Sequence, residues 1–95
     1  MPKGYVIARV SVLDPEGYQA YVAKASEAMK IYGGTPIVRG GKCEIVEGEG
    51  RMRNVVVEFE SFEKAKEYYY SPEYFAARKL RMGICVGDFV VVEGP

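Results

Sequence analysis

Apolar positions along the chain recur with two different periods, and the alternation between them lays out the elements. Residues 5–13 alternate with period two. Val6, Ala8, Val10 and Val12 form one apolar side, while Tyr5, Ile7, Arg9, Ser11 and Leu13 form the other. This is a strand with one dry face and one amphipathic face. The period then changes. Asp14-Pro15-Glu16 carries a side-chain cap, a proline suited to the first helical position and an acid at the positive end of the dipole. The helix it starts is expected to run to about Tyr32, with a stripe of Tyr18, Val22, Ala25, Met29 and Tyr32, flanked by Tyr21 and Ala28. Gly33-Gly34 ends it.

Residues 35–47 read as a strand broken by a bulge or bend at Gly40-Gly41, and Gly48-Glu49-Gly50 as a turn. Residues 53–60 form a third strand, with Val55, Val57 and Phe59 on one side and Val56 and Glu58 on the other. Ser61 caps a second helix, which is interrupted at Ser71-Pro72 because a residue before proline resists helical geometry. Ser71-Pro72-Glu73 restarts it to about Met82, Gly83 closes it, and residues 85–93 make the last strand. In the run Tyr68-Tyr69-Tyr70, successive side chains point about 100° apart. Tyr68 and Tyr69 are expected in the core and Tyr70 at its edge, in an interface or beside a cavity.

The order is β-α-β-β-α-β, an α+β, ferredoxin-like arrangement with a four-stranded antiparallel sheet. Right-handed crossovers place the helices on one sheet face. The other face is bare yet mostly apolar, with Ile7, Leu13 and Val56 among its contributors, so two such sheets are expected to pack into a homodimer.

Composition narrows the function. Ninety-five residues suit one domain spanning 1–95, and 48% apolar with 27% charged residues suits a soluble globular chain. Thirteen basic residues balance thirteen acidic ones, which argues against a nucleic-acid partner. The third strand also lacks the exposed aromatics that a four-stranded RNA-binding platform needs. With no His, catalysis by Ser-His-Asp or Cys-His arrangements and His-ligated metal sites are excluded. No apolar run approaches the ~20 residues that span a bilayer, so no membrane partner is expected. The start of the chain shows no signal-peptide pattern. Only Cys43 and Cys85 occur, without a paired spacing, which suits reduced thiols with structural roles in a cytoplasmic protein. No ligand cluster suggests a metal, and no motif suggests a cofactor. The glycine pairs are not phosphate loops, because they do not join a strand to a helix N-terminus.

The polar residues set against this apolar frame are the candidates for chemistry. Arg39 can act as an anion clamp for a carboxylate, with a structural ion pair as the alternative. Glu58, on the bare face, can act as a general acid or base if desolvated; pairing with Arg9 from the neighbouring strand is the preferred alternative. Tyr74 and Arg81 lie about two turns apart on one helix face. They can close a ligand pocket with Arg39, or serve packing and ion pairing. Arg9 joins this ligand-binding set. Ser71 is an N-cap. Two functions fit: a cofactor-free enzyme for a small organic acid or aromatic compound, with Arg39 orienting the substrate and Glu58 or a tyrosine moving protons, or a non-catalytic ligand-binding or accessory dimer.

The motifs also resemble a known family. The runs Asp14-Pro15-Glu16-x-Tyr18-x-x-Tyr21, Gly33-Gly34, Val38-Arg39-Gly40-Gly41 and Glu47-Gly48 are similar to the bacterial family called domain of unknown function 1330. So are Val56-Val57-Glu58-Phe59-x-Ser61, Ala65, Tyr69, Ser71-Pro72-Glu73-Tyr74, Ala77, Arg81 and Val92-Glu93-Gly94. The resemblance implies a dimeric α+β barrel, two ferredoxin-like sheets face to face with the helices outside, and an uncharacterised activity. Related barrels include antibiotic-biosynthesis-type monooxygenases, muconolactone isomerases and chlorite dismutase-like haem proteins, an analogy of fold alone. Many members resemble His-Gly-Gly where this chain has Tyr32-Gly33-Gly34, and tyrosine is a poor base near neutral pH.

Overall fold

The computed structural model describes residues 2–95. Strand β1 (Gly4–Val12) leads into helix α1 (Pro15–Tyr32), then β2 (Thr35–Arg39) and β3 (Arg53–Phe59). Helices α2 (Phe62–Tyr69) and α3 (Pro72–Arg81) follow, and β4 (Cys85–Glu93) ends the fold. The strands form one four-stranded sheet in the order β2-β3-β1-β4. All three strand pairings are antiparallel. This is the expected ferredoxin-like sheet, with its second helical segment split in two.

The caps behave as their chemistry requires. Asp14 accepts from the Gly17 amide at 3.2 Å, Ser61 from the Lys64 amide at 3.1 Å, and Ser71 from the Tyr74 amide at 3.0 Å. Ser71 Oγ also donates to the Tyr68 carbonyl at 2.7 Å, so one buried hydroxyl ends α2 and starts α3. At the end of α1, Gly33 has φ 74°, which a side chain would resist.

The core lies between the helices and one sheet face. Val6, Ala8 and Val10 of β1 meet Val57 and Phe59 of β3 there, under Tyr18, Tyr21, Ala25, Ala28, Tyr68, Tyr74 and Ala77. The buried line of α1 is therefore rotated from the expected stripe. Tyr21 and Ala28 lie at its centre, while Val22, Met29 and Tyr32 are half-buried. The cause is α3, which packs along the Tyr21 side of α1 and draws that side inward. Phe59 and Tyr68 stack at 5.0 Å between centroids, as do Tyr68 and Tyr74. Such aromatic pairs add about 0.5–1.5 kcal/mol each beyond the area they bury. Tyr68 is buried, Tyr69 is half-buried, and Tyr70 projects outward at 75% exposure.

The strand expected over 35–47 is much shorter. It ends at Arg39, and residues 41–52 contain no strand. Gly40 has φ 67°, and a Cβ there would stand 2.5 Å from an Arg53 guanidinium nitrogen. The chain turns away at a position only glycine can hold. The pairing irregularity is also displaced from the glycines, to between Pro36 and Val38.

Candidate functional site

Register decides which candidates meet. Across β1 and β3, Tyr5 faces Glu58 and Arg9 faces Asn54. Arg9 and Glu58 share the bare sheet face but stand four residues apart along the pairing. The expected Arg9–Glu58 pair does not form. Glu58 instead accepts a hydrogen bond from the Tyr5 hydroxyl at 3.2 Å and lies 3.9 Å from the Lys3 ammonium. Burial, followed by this bond to Glu58, raises the Tyr5 pKa. Arg9 faces Asp88 on its other side, but Asp88 is held by Arg51 at 3.3 Å. Arg9 lies exposed beside Glu49, Arg51 and Asp88 in an open surface hollow.

Tyr74 and Arg81 do share one face of α3, and that face is core. Tyr74 is buried, and its hydroxyl lies 2.8 Å from that of Tyr21. Arg81 Nε donates to the Tyr74 hydroxyl at 3.3 Å. Its guanidinium carbon sits 4.0 Å over the Phe89 ring and 5.8 Å from that of Tyr21. Burial alone would lower the Arg81 pKa; the hydrogen bond to Tyr74 and the surrounding phenols more than offset this and leave it raised. Burial raises the Tyr74 pKa despite the hydrogen bonds from Tyr21 and Arg81. These two residues therefore do not close a pocket with Arg39: packing against α1 has drawn them into the interior.

Arg39 lies elsewhere, because of the irregularity in β2. Strict alternation from Thr35 would put residue 39 on the same face as residue 35. One extra residue before Val38 reverses that: Thr35 and Val38 share the Glu58–Val56 side, while Arg39 faces Val55 on the helix side. Re-aiming a side chain is a common consequence of a bulge. Arg39 then reaches the mouth of a cleft between α1 and the β2–β3 edge, where its Nη2 donates to Ser26 Oγ at 3.2 Å.

A second arginine that the sequence reading passed over enters the same cleft. Arg53 is on the helix side of β3, two residues from Val55, so the two arginines are diagonal neighbours whose backbone positions lie about 7–8 Å apart. Its guanidinium carbon lies 5.3 Å from the Tyr18 ring centroid, and its Nε is buried with no hydrogen-bond partner. Among the described residues neither Arg39 nor Arg53 is in an ion pair. Tyr18 and Ser26 bring hydroxyls, and Val22, Ala25, Met29 and Val55 bring apolar surface. The cleft is partly open, and its volume is about 40 Å³, room for some three water-sized groups. The signal that could have found Arg53 was its alternation with Val55, Val57 and Phe59, a charge on the dry side of a strand.

The cleft can hold an anion but is poor at moving protons. Among its described lining residues there is no carboxylate. Burial raises the Tyr18 pKa, opposed only in part by Arg53, and drives that of Tyr21 far above the ordinary phenol range. Both phenols are protonated at neutral pH. Tyr32, at the expected His-Gly-Gly position, donates to Glu73 at 2.8 Å and so ties α1 to α3. Among the described residues no group of three His, Cys, Asp or Glu side chains is placed to hold a metal ion, and no helix is long and apolar enough to cross a membrane.

The sequence matches the family model described as "Domain of unknown function (DUF1330)" over residues 3–95. No curated protein matches the chain. Among solved structures, a protein of unknown function from Rhodopseudomonas palustris is similar, with a TM-score of 0.79 at 18% identity over 99% of this chain and 82% of that one. A dimeric ferredoxin-like protein of unknown function from Thermobifida fusca gives 0.63 at 14% identity, over 97% and 89%. SnoaB, a cofactor-independent oxygenase from Streptomyces nogalater, gives 0.62 at 7% identity, over 97% and 92%. At these identities the likeness is one of fold.

Proposed function

The chain belongs to the DUF1330 family, and we propose that it works as a sheet-paired homodimer, each protomer holding a small molecule in the cleft beneath α1. The observation that carries the binding reading is the convergence of Arg39 and Arg53, without an acid between them, on one partly apolar cavity. The buried Arg53 Nε without an acceptor favours a guest that supplies one, and the exposed Arg39 at the mouth adds a second positive charge. The role is binding without proton transfer, since the groups that face the cleft hold their protons near neutral pH. Glu58, the expected acid or base, lies on the opposite sheet face from Arg39. The pair expected for an enzyme is thus divided within one protomer.

The dimer reading rests on the bare face. Val38, Val86, Val90 and Val92 are exposed there beside the half-exposed Ile7 and Val56. A mostly apolar sheet face of this kind suits packing against a second copy, and the Thermobifida fusca neighbour is itself described as dimeric. The protein is taken as cytoplasmic, supported by two free thiols, Cys43 and Cys85.

Native mass spectrometry of freshly purified protein tests both parts. The expected result, with a small carboxylate added at millimolar concentration, is a dimer carrying that adduct, which is absent from the Arg39→Gln, Arg53→Gln double variant. A monomer would overturn the sheet-paired assembly. An adduct retained in full by the double variant would overturn the cleft as its site.

A further inference from the structure

Charge, size and lining of the α1 cleft together select a ligand class. Arg39 and Arg53 approach from adjacent strands on one sheet face, and the Arg53 Nε is buried and still has a proton to donate. Arg53 is packed in place before any ligand arrives, while Arg39 stands exposed at the mouth. Ser26 orients Arg39 at 3.2 Å, and the Tyr18 ring carries the Arg53 guanidinium at 5.3 Å. Gly40 leaves the space that guanidinium fills, since a Cβ there would lie 2.5 Å from its nitrogen. Preorganised donors of this kind suit a planar oxyanion, whose oxygens match the fork geometry of arginine.

Size and lining sharpen the choice. A cavity of about 40 Å³ admits about three water-sized groups. A carboxylate fits at its inner end, with the rest of a ligand reaching the open mouth. The apolar walls are Ala8, Val22, Ala25, Met29, Pro36 and Val55, and they suit methylene groups. The other polar groups are the neutral hydroxyls of Tyr18, Tyr21 and Ser26, and that of Tyr21 is already bonded to Tyr74.

We propose that the cleft between α1 and the β2–β3 edge is a subsite for a short aliphatic monocarboxylate. Its oxygens are shared between Arg39 and Arg53, and its tail lies against Val22, Ala25 and Met29 towards the mouth. This rests on the reading of the cleft as a binding site and names the class of its ligand.

The test is a titration of the labelled full-length protein, followed by amide and arginine Nε–H chemical shifts, with butanoate, butanamide and inorganic phosphate in parallel. Butanoate is expected to give saturable shifts at Ala25, Ser26, Val55 and the Arg53 Nε–H, with millimolar affinity for so few heavy atoms. Arg39→Gln and Arg53→Gln are each expected to weaken it about tenfold or more, the loss of a charge-assisted hydrogen bond. Arg9→Gln, on the bare face, should leave it unchanged. If Arg53→Gln fails to fold, Arg53→Lys, which keeps the charge and loses the fork, should weaken butanoate severalfold. Phosphate binding as tightly as butanoate would overturn the carboxylate assignment. So would butanamide binding at the same residues with butanoate silent, though the cleft would stand as a binding site. Silence from all three would overturn the assignment and the cleft reading together.

Discussion

Two arginine sites lie on the helix-covered side of the sheet, both against α1, and they are finished differently. Arg81 is 9% exposed and enclosed: Nε on the Tyr74 hydroxyl, guanidinium over Phe89, and Tyr74 bonded in turn to Tyr21. Arg39 and Arg53 flank a cavity, and the Arg53 Nε has no acceptor. No acid neutralises either site among the described residues. The difference teaches what makes a buried guanidinium structural. Aromatic faces and phenol oxygens can replace a carboxylate when they close around the charge on every side. Where the enclosure is left incomplete, the missing acceptor marks a place for something else.

The strongest way to break the comparison is to remove the centre of the closed site. Tyr74 is 2% exposed and touches Tyr21, Tyr68 and Tyr69. Tyr74→Ala is expected to lower unfolding stability by about 3–5 kcal/mol, as for other large aromatic truncations in cores. It also strands Arg81 Nε without its acceptor. Urea unfolding followed by circular dichroism measures this, and a loss below about 1 kcal/mol would show that the enclosure is not tight.

Alkaline pH attacks the same site without mutation. Burial raises the pKa of Tyr21, Tyr68 and Tyr74 above the ordinary phenol value of 10.0. Their neutral forms stabilise the fold fully below pH 10. Above it the unfolded chain loses phenolic protons that the native state keeps, so stability falls as pH rises. Three such groups give a slope of up to about 4 kcal/mol per pH unit. Urea midpoints at pH 8, 10 and 11 should fall by a little between the first two, where the unfolded phenols reach half-ionisation, and drop sharply at the third.

The bare face offers a contrast of a third kind, apolar and open. Ile7 stands at its centre, between Val56 and Val90 across the register. In a sheet-paired dimer, Ile7→Glu puts a charge into the buried interface and should weaken association by about 2–3 kcal/mol or more. Sedimentation equilibrium measures it. An unchanged dimer would mean that the protomers meet elsewhere.

The parts of the fold set by local chemistry were readable from the sequence. Asp14, Ser61 and Ser71 cap helices because their side chains satisfy amides three residues on. Period-two alternation placed Val6, Ala8 and Val10 inward. The candidate site was legible only in fragments, because it depends on pairings between distant segments. The pairing register carries Glu58 to Tyr5 and away from Arg9. One extra residue in β2 turns Arg39 to the helix side, and no local propensity announces it. Tyr74 and Arg81 were placed correctly on one helix face, but only the packing of α3 on α1 decides that this face is core. Arg53 lay in plain view as a charge on the dry side of a strand, and its meaning came from the α1 cleft above it.

The smallest expected effect is also the sharpest test of the two arginine sites. At the closed site, Arg81→Gln should destabilise by about 1–3 kcal/mol, since it removes a guanidinium that packs on Phe89 and donates to a buried phenol. At the open site, Arg53→Gln removes a buried donor that has no partner and one of the two positive charges lining the cleft. Its lost contacts with Tyr18 are offset by relief of both penalties, so the net change should stay within about 0.5 kcal/mol, the range of substitutions that break no core feature. Parallel urea unfolding of the two variants, without added ligand, makes the measurement. A loss at residue 53 as large as that at residue 81 would show that Arg53 is a strut of the fold, and the distinction between an enclosed guanidinium and an open one would fall.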